Sequence, residues 1–445
     1  MLTSDQKRRS LLERLYHVHL ALEELSTHRE SLSGGASALL EATDRLLNEV
    51  LRQFHTQWSY LEEAAAGKPD TERSEEERAV LCDEFADTAT ALASAVVPIL
   101  EGAEPENVPV EIEPILQAMM RKAASSWNLS ACVLSSSFSY NYSIGVCHFA
   151  DFYSLIKAPQ LAPKKDFVVV QIPRLESQSL PLHAILIGHE MGHLFEMHAQ
   201  ISDKLSLPIP PKLGIPLPEP GAAQRRDTFV SHRASWIREI LADIFSVLLI
   251  GPAAPLSIAE LAGTVQPLDE DQFTHPSPIR RLSVMVDLLR KGGFFGVDGV
   301  ERILGETSAL KIVKPPPPVM GEPKSWNDYI WSEIVSILDG LVAECVDVVG
   351  ASAFTAADWT SVKEVVDALE HGLPCGEGTA EGGSPYPISP AAILNAAWTV
   401  KCNGCVGIID ELQLDPNATG SLLRSNYILD ELVLKSLEIS AIRSR

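Results

Sequence analysis

A chain of 445 residues with 46% hydrophobic and 21% charged side chains holds enough material for two or three domains with large cores, which argues against a disordered chain. Its 36 Lys+Arg against 59 Asp+Glu leave a formal net charge of −23. Such a surface repels phosphate backbones and anionic lipid, so nucleic-acid binding and membrane docking are poor candidates for its main role.

The N-terminus, Met1 to Lys7, is polar and runs into an amphipathic helix without the apolar core of a secretory leader, and the expectation is a cytoplasmic protein. Leu11, Leu12, Leu15, Leu20 and Leu22 follow helical spacing. Ser33-Gly34-Gly35 breaks that helix, a second is expected over 36–65, and Gly67-Lys68-Pro69-Asp70 separates it from a third over 72–100. Three long helices with short connections predict an up-and-down bundle.

The stretch Glu104 to Pro109 reads as a boundary, followed by a helix over 112–127. Ser130 to Phe149 fits a strand or irregular hairpin, and Asp166 to Pro173 is the clearest strand. This strand is either an edge onto which an extended peptide could add or an ordinary core strand. A helix then starts near Pro181 with Ser179 as its cap and continues to about Gln200. Proline-rich stretches at 207–220 and 314–318 punctuate the chain beyond that helix, the first a candidate cover for a cleft. Further helices are expected over 326–348, 356–371, 390–401 and 421–441, with a Gly-rich loop near 376–383. The longest apolar run, Ile244 to Ile250, is too short to span a bilayer. The expected fold is α+β and mainly helical, with a helical bundle over 1–104, a catalytic domain over 105–312 and a helical region over 313–445.

His189-Glu190-Met191-Gly192-His193 lies on the helix that starts at Pro181. Residues four apart on a helix project to one side, so His189 and His193 can present ring nitrogens to one metal ion. Glu190 can reach a water on that ion without ligating it. A catalytic site of this kind needs a third protein ligand. Ten residues after His189 stands Ala199, which excludes a third histidine there, and Glu196 is too far along the axis and reads as a group behind the ligands or a salt-bridge partner. Glu239 is the better candidate: with Asp243 it forms a carboxylate pair on one face of a strongly apolar helix. Two buried acids are costly unless cations or donors satisfy them. A metal ion for Glu239 and a ring N–H of a ligating histidine for Asp243 would do so.

HExxH followed by Glu239-Ile240-Leu241-Ala242-Asp243 resembles the gluzincin peptidases, most closely the Ste24/HtpX-like group. Thr274-His275-Pro276-Ser277-Pro278-Ile279-Arg280-Arg281-Leu282 is similar to a later element of that group, with Ser277 where a second proline is usual. The resemblance spans roughly 165–290 and lacks the group's transmembrane helices. It implies a zincin-like core with one zinc ion held by His189, His193 and Glu239, Glu190 as base, and Asp243 as the acid behind a ligand histidine. His275 would stabilise an oxyanion or orient nearby carboxylates, and Arg281 would brace the site. The implied activity is hydrolysis of protein or peptide substrates; a catalytically silent helical regulatory protein with a retained zinc-binding fold is the alternative.

Other signals carry less. Cys402-Asn403-Gly404-Cys405 with Cys375 and His371 could be imagined as a second zinc site, but reduced structural thiols are the simpler expectation for the seven cysteines. His183 and His198 lie off the metal-facing side, and His17, His19, His28 and His55 belong to the N-terminal helices. His232 could approach the cleft from just before Glu239.

Overall fold

The computed structural model describes residues 3–27, 29, 32–66, 71–104, 106–123, 129–137, 142–162, 166–174, 179–205, 207, 222–265, 267–306, 310, 313, 325–380 and 384–444. The expected breaks and loops at 67–70, 208–220, 314–318 and 381–383, and His28, lie outside the described residues. The chain is mainly helical with few strands. No helix among the described residues is long and apolar enough to cross a membrane.

Contacts divide the chain into two compact units: Met1–Glu113 with Ser126–Ser177, and Pro114–Ser125 with Gln178–Arg445. In the first, α1 (Ser4–Thr27), α2 (Gly34–Ala66) and α3 (Thr71–Ala91) pack against one another. A π turn over Leu92–Val96 carries α3 into α4 (Val97–Gly102). The stripe Leu11, Leu15, Val18 and Leu22 is buried, as its spacing requires.

The same unit holds β1 (Leu129–Ser137), β2 (Ser143–Cys147) and β3 (Asp166–Pro173), which the sequence pattern had grouped with the motif helix. The reason is burial: β1 packs on α2 and α4, and Val133 and Phe167 join the core built by the three helices. The sheet order is β1-β3-β2, with β1 parallel and β2 antiparallel to β3. β3 is therefore the central strand, which decides for the core-strand reading against the peptide-accepting edge, and β1 and β2 each pair with β3 and not with one another. Its run Phe167-Val168-Val169-Val170 is buried on both faces, the environment of an inner strand.

The second unit contains α5 (Glu113–Ala123) from Pro114 onward and everything after Gln178. The motif segment is α7 (Leu180–Ile185), a π turn over Leu186–Glu190 and α8 (Met191–Ala199), followed by the short α9 (Ile201–Lys204). At its centre lies α10 (Ala222–Ile250), which packs on the π turn, α8, α11 (Ala253–Val265) and α12 (Pro278–Lys291). It also meets α14 (Trp326–Val349) and α16 (Pro390–Cys402). Trp236, Ile240, Leu241, Ile244 and Phe245 are all buried, which seats this stretch of α10 in the core. α13 (Val300–Glu306), α15 (Trp359–Glu370), α17 (Val406–Glu411) and α18 (Thr419–Arg443) complete the unit. The expected Gly-rich loop near 376–383 contains β4 (Glu377–Thr379), which pairs antiparallel with β5 (Pro385–Pro387) just beyond it.

The motif helix is not capped by Ser179, whose side chain makes no cap bond. Asp430 on α18 accepts from Leu180 N at 2.9 Å instead.

Candidate metal centre

Two glycines set how closely the motif helix approaches α10. A Cβ at Gly188 would stand 2.4 Å from Ser246 Oγ, and one at Gly192 would stand 2.7 Å from Ala242 O and 2.9 Å from Ala242 Cα. No other residue permits that approach, and it brings the turn carrying His189 and Glu190 against the Glu239 face. Sequence reasoning missed this pair, although two glycines four apart around the motif were the signal.

His189 and His193 meet edge to face with ring centroids 4.6 Å apart. Their Nε2 atoms each lie 3.4 Å from Glu239, the first from Oε2 and the second from Oε1. Ligand atoms of His189, His193 and Glu239 all fall within 4.8 Å of one another, the only such group of three or more among the described residues.

Asp243, fully buried one turn along, has Oδ1 3.0 Å from His189 Nδ1. Arg281 on α12 donates from Nε and Nη2 to the two Asp243 oxygens, both at 2.8 Å. Its Nη2 also lies 3.3 Å from both ring nitrogens of His189 and 3.6 Å from Glu239 Oε2. His275 brings Nε2 to 3.4 Å from Glu239 Oε1, while its Nδ1 is 2.7 Å from Thr274 Oγ1. Glu190 is buried, makes no hydrogen bond or ion pair with a described residue, and stands close enough for Arg281 to feel its charge.

These contacts set the charges. Burial and Arg281 both oppose the His189 imidazolium, yet Asp243 and Glu239 outweigh them and raise its pKa to about 9. Burial alone would lift Glu239, but the charge of His193 and contacts with His189 hold it well below the carboxylate range. Asp243 is likewise held down against burial, chiefly by Arg281. His275 is pushed down by burial, with Glu239 pulling the other way.

The residues fit a divalent cation. Glu239 Oε2 is buried without a well-directed hydrogen bond, an orphan that a metal ion would satisfy. Glu190, Glu239 and Asp243 carry three negative charges against the single positive charge of Arg281, so a dication beside neutral imidazoles brings the sum to zero. Two imidazoles and one carboxylate within 4.8 Å of one another are a donor set that a divalent metal ion could take.

The remaining candidates lie elsewhere. Glu196, expected as a salt-bridge partner, instead accepts from Ser202 N at 3.2 Å and from Ser202 Oγ, closing the turn into α9. Cys402 points its thiol at Ile303 O, Cys405 at Asn426 and Cys375 at Glu377 O, and none of the seven cysteines is in a disulfide. His371 meets Asp367 O within its own helix end. His232 is buried between Trp236 and Phe273.

No family, curated protein or solved structure matches the chain.

Proposed function

We propose that this protein is a zinc-dependent metallopeptidase of gluzincin type with a zincin-like core, hydrolysing protein or peptide substrates. The observation that carries the reading is the convergence of His189, His193 and Glu239 with Asp243 and Arg281 behind them. A metal-binding triad alone fits many roles. The buried acid that fixes a ligand imidazole, together with an unpaired Glu190 beside it, favours hydrolysis.

When bound at the triad, zinc supplies Lewis-acid polarisation of a carbonyl and lowers the pKa of water. The protein's own groups do the rest. Asp243 accepts from His189 Nδ1 and so directs Nε2 at the ion. Glu190, which makes no hydrogen bond or ion pair with a described residue, takes the proton of the attacking water and delivers it to the leaving amine. His275, kept neutral by burial, donates from Nε2 to the oxyanion, with its other nitrogen held by Thr274. His193 and His275 are the more exposed members, with 22% and 40% of their side-chain surfaces accessible, so the peptide reaches the centre from their side.

The test is metal analysis of the purified chain with peptide-library cleavage, with and without chelator, beside a Glu190→Gln variant. Stoichiometric zinc in both proteins is expected, with cleavage reduced by about 10²–10⁴-fold in the variant. Zinc bound with no cleavage by the native chain would replace this reading with that of a silent regulatory protein.

A further inference from the structure

We propose that His232 anchors a substrate subsite that selects a tyrosine side chain about three residues from the cleaved bond. The inference rests on the peptidase reading above. Residues 232, 236, 239 and 243 follow 4-3-4 spacing and share one stripe of α10, so His232 lies on the face that carries Glu239. Seven residues at 1.5 Å rise place it about 10 Å along the axis from Glu239, and an extended peptide covers that distance in about three residues.

His232 is 6% exposed, and its Nε2 has no hydrogen-bond partner among the described residues. A buried polar nitrogen left unpaired is unfavourable, and a native one is explained by a water, ion or ligand that occupies it. Around it the site is aromatic: Phe273 lies 4.8 Å away at 34°, and Trp236 5.1 Å away at 79°. Trp236 has already given its Nε1–H to Gln272 O at 3.0 Å.

The corner is fixed relative to the metal centre. Gln272 N donates to His275 O at 2.9 Å, and Ser277 N to Asp271 Oδ1 at 2.8 Å, while Arg280 pairs with Asp271 at 3.3 Å. One braced loop therefore presents both His275 beside Glu239 and Phe273 over His232. Phe273, whose ring covers His232, is itself half exposed at the surface.

The chemistry selects a phenol. Burial holds the imidazole below its ordinary pKa against the pull of Asp271, so it is neutral. A neutral ring nitrogen is a bare acceptor or an N–H donor according to tautomer, and a hydroxyl answers either. The tyrosine ring packs against Phe273 and Trp236. Phenylalanine fills the same space and leaves Nε2 unpaired, the situation in which a site rejects the analogue lacking the hydroxyl.

The experiment uses the zinc-loaded, full-length Glu190→Gln variant and labelled peptides with Tyr or Phe scanned through each position, read by fluorescence anisotropy. Native-chain cleavage of the same peptides is followed in parallel. At one position Tyr should bind about 10- to 100-fold more tightly than Phe. Adding His232→Phe should bring that ratio near one with zinc content retained, and His232→Gln should restore part of it. If His232→Phe fails to fold, the imidazole ¹⁵N shifts of the otherwise unaltered Glu190→Gln protein should move on binding the Tyr peptide and not the Phe peptide. Cleavage with no Tyr preference at any position, or a preference that survives His232→Phe, overturns the subsite alone. Zinc bound with no peptide bound or cleaved overturns the peptidase reading and the subsite with it.

Discussion

Arg281 holds Asp243 by two parallel hydrogen bonds of 2.8 Å, and the same carboxylate stands 3.0 Å from Nδ1 of His189. A single relay thus runs from α12 through α10 to the motif helix, with each charge answered by the next. Breaking it from one side leaves a buried charge alone.

Asp243→Ala should therefore destabilise the metal-free protein by about 3–5 kcal/mol, because buried Arg281 loses both hydrogen bonds to that carboxylate and keeps only the ion pair with Glu239 at 3.6 Å. Zinc affinity should fall by about 10- to 100-fold as His189 loses its orientation. Urea unfolding and competitive zinc titration measure the two effects, and an unchanged zinc affinity would remove Asp243 from the site.

Gly192→Ala should be harmful although alanine favours helices. Its Cβ would meet the backbone of Ala242 at 2.7 and 2.9 Å, and neither atom can move without shifting α10. A cost of about 1–3 kcal/mol is expected, together with weaker zinc binding as Glu239 is carried away from the histidines. Gly340→Ala, in α14 with nothing within 4 Å of the new methyl, should instead stabilise by about 0.5–1 kcal/mol. Thermal melts of the two variants should move in opposite directions.

The raised pKa of His189 gives metal binding a definite pH dependence. Without metal the ring keeps its proton up to about pH 9, and zinc must displace that proton to bind. Affinity should therefore rise about tenfold per pH unit and level off near pH 9. In the metal-free protein the sign is reversed for stability. The imidazolium contribution is full below the unfolded value of 6.5 and is lost as pH rises through about 9. Isothermal titration in buffers of different ionisation enthalpy counts the released proton.

Asp430 carries a second pH signature. Burial lifts its carboxyl to about 6 despite the hydrogen bond from Leu180 N, so the native state binds more protons than the unfolded state between about pH 4 and 6. Stability from this group accordingly falls as pH rises through that window. Asp430→Asn keeps an acceptor for the helix end and should abolish that slope in melting temperature. Asp430→Ala should lose about 0.5–2 kcal/mol with the cap.

The face-sharing of His189 with His193, and of Glu239 with Asp243, was legible because helical rise and turn fix residues four apart. The apolar surroundings of both helices announced their burial in the same way. Other features depended on partners that no local pattern names. Ser179 looked like the cap of the motif helix, yet Asp430, 250 residues further on, makes the bond. Glu196 looked like a charge partner for the site and turned to Ser202. β3 looked free to accept a peptide, but β1 and β2 flank it on both sides.

Residue type and local periodicity were enough to show which side chains could serve a metal and which helices would carry them. Only the tertiary structure decided that the Glu239 face meets the histidines. It also decided that Arg281 completes the relay and that His232 is left with an unpaired nitrogen. Those outcomes depend on how closely separate helices pack, and at Gly188 and Gly192 that closeness is set by the absence of a side chain.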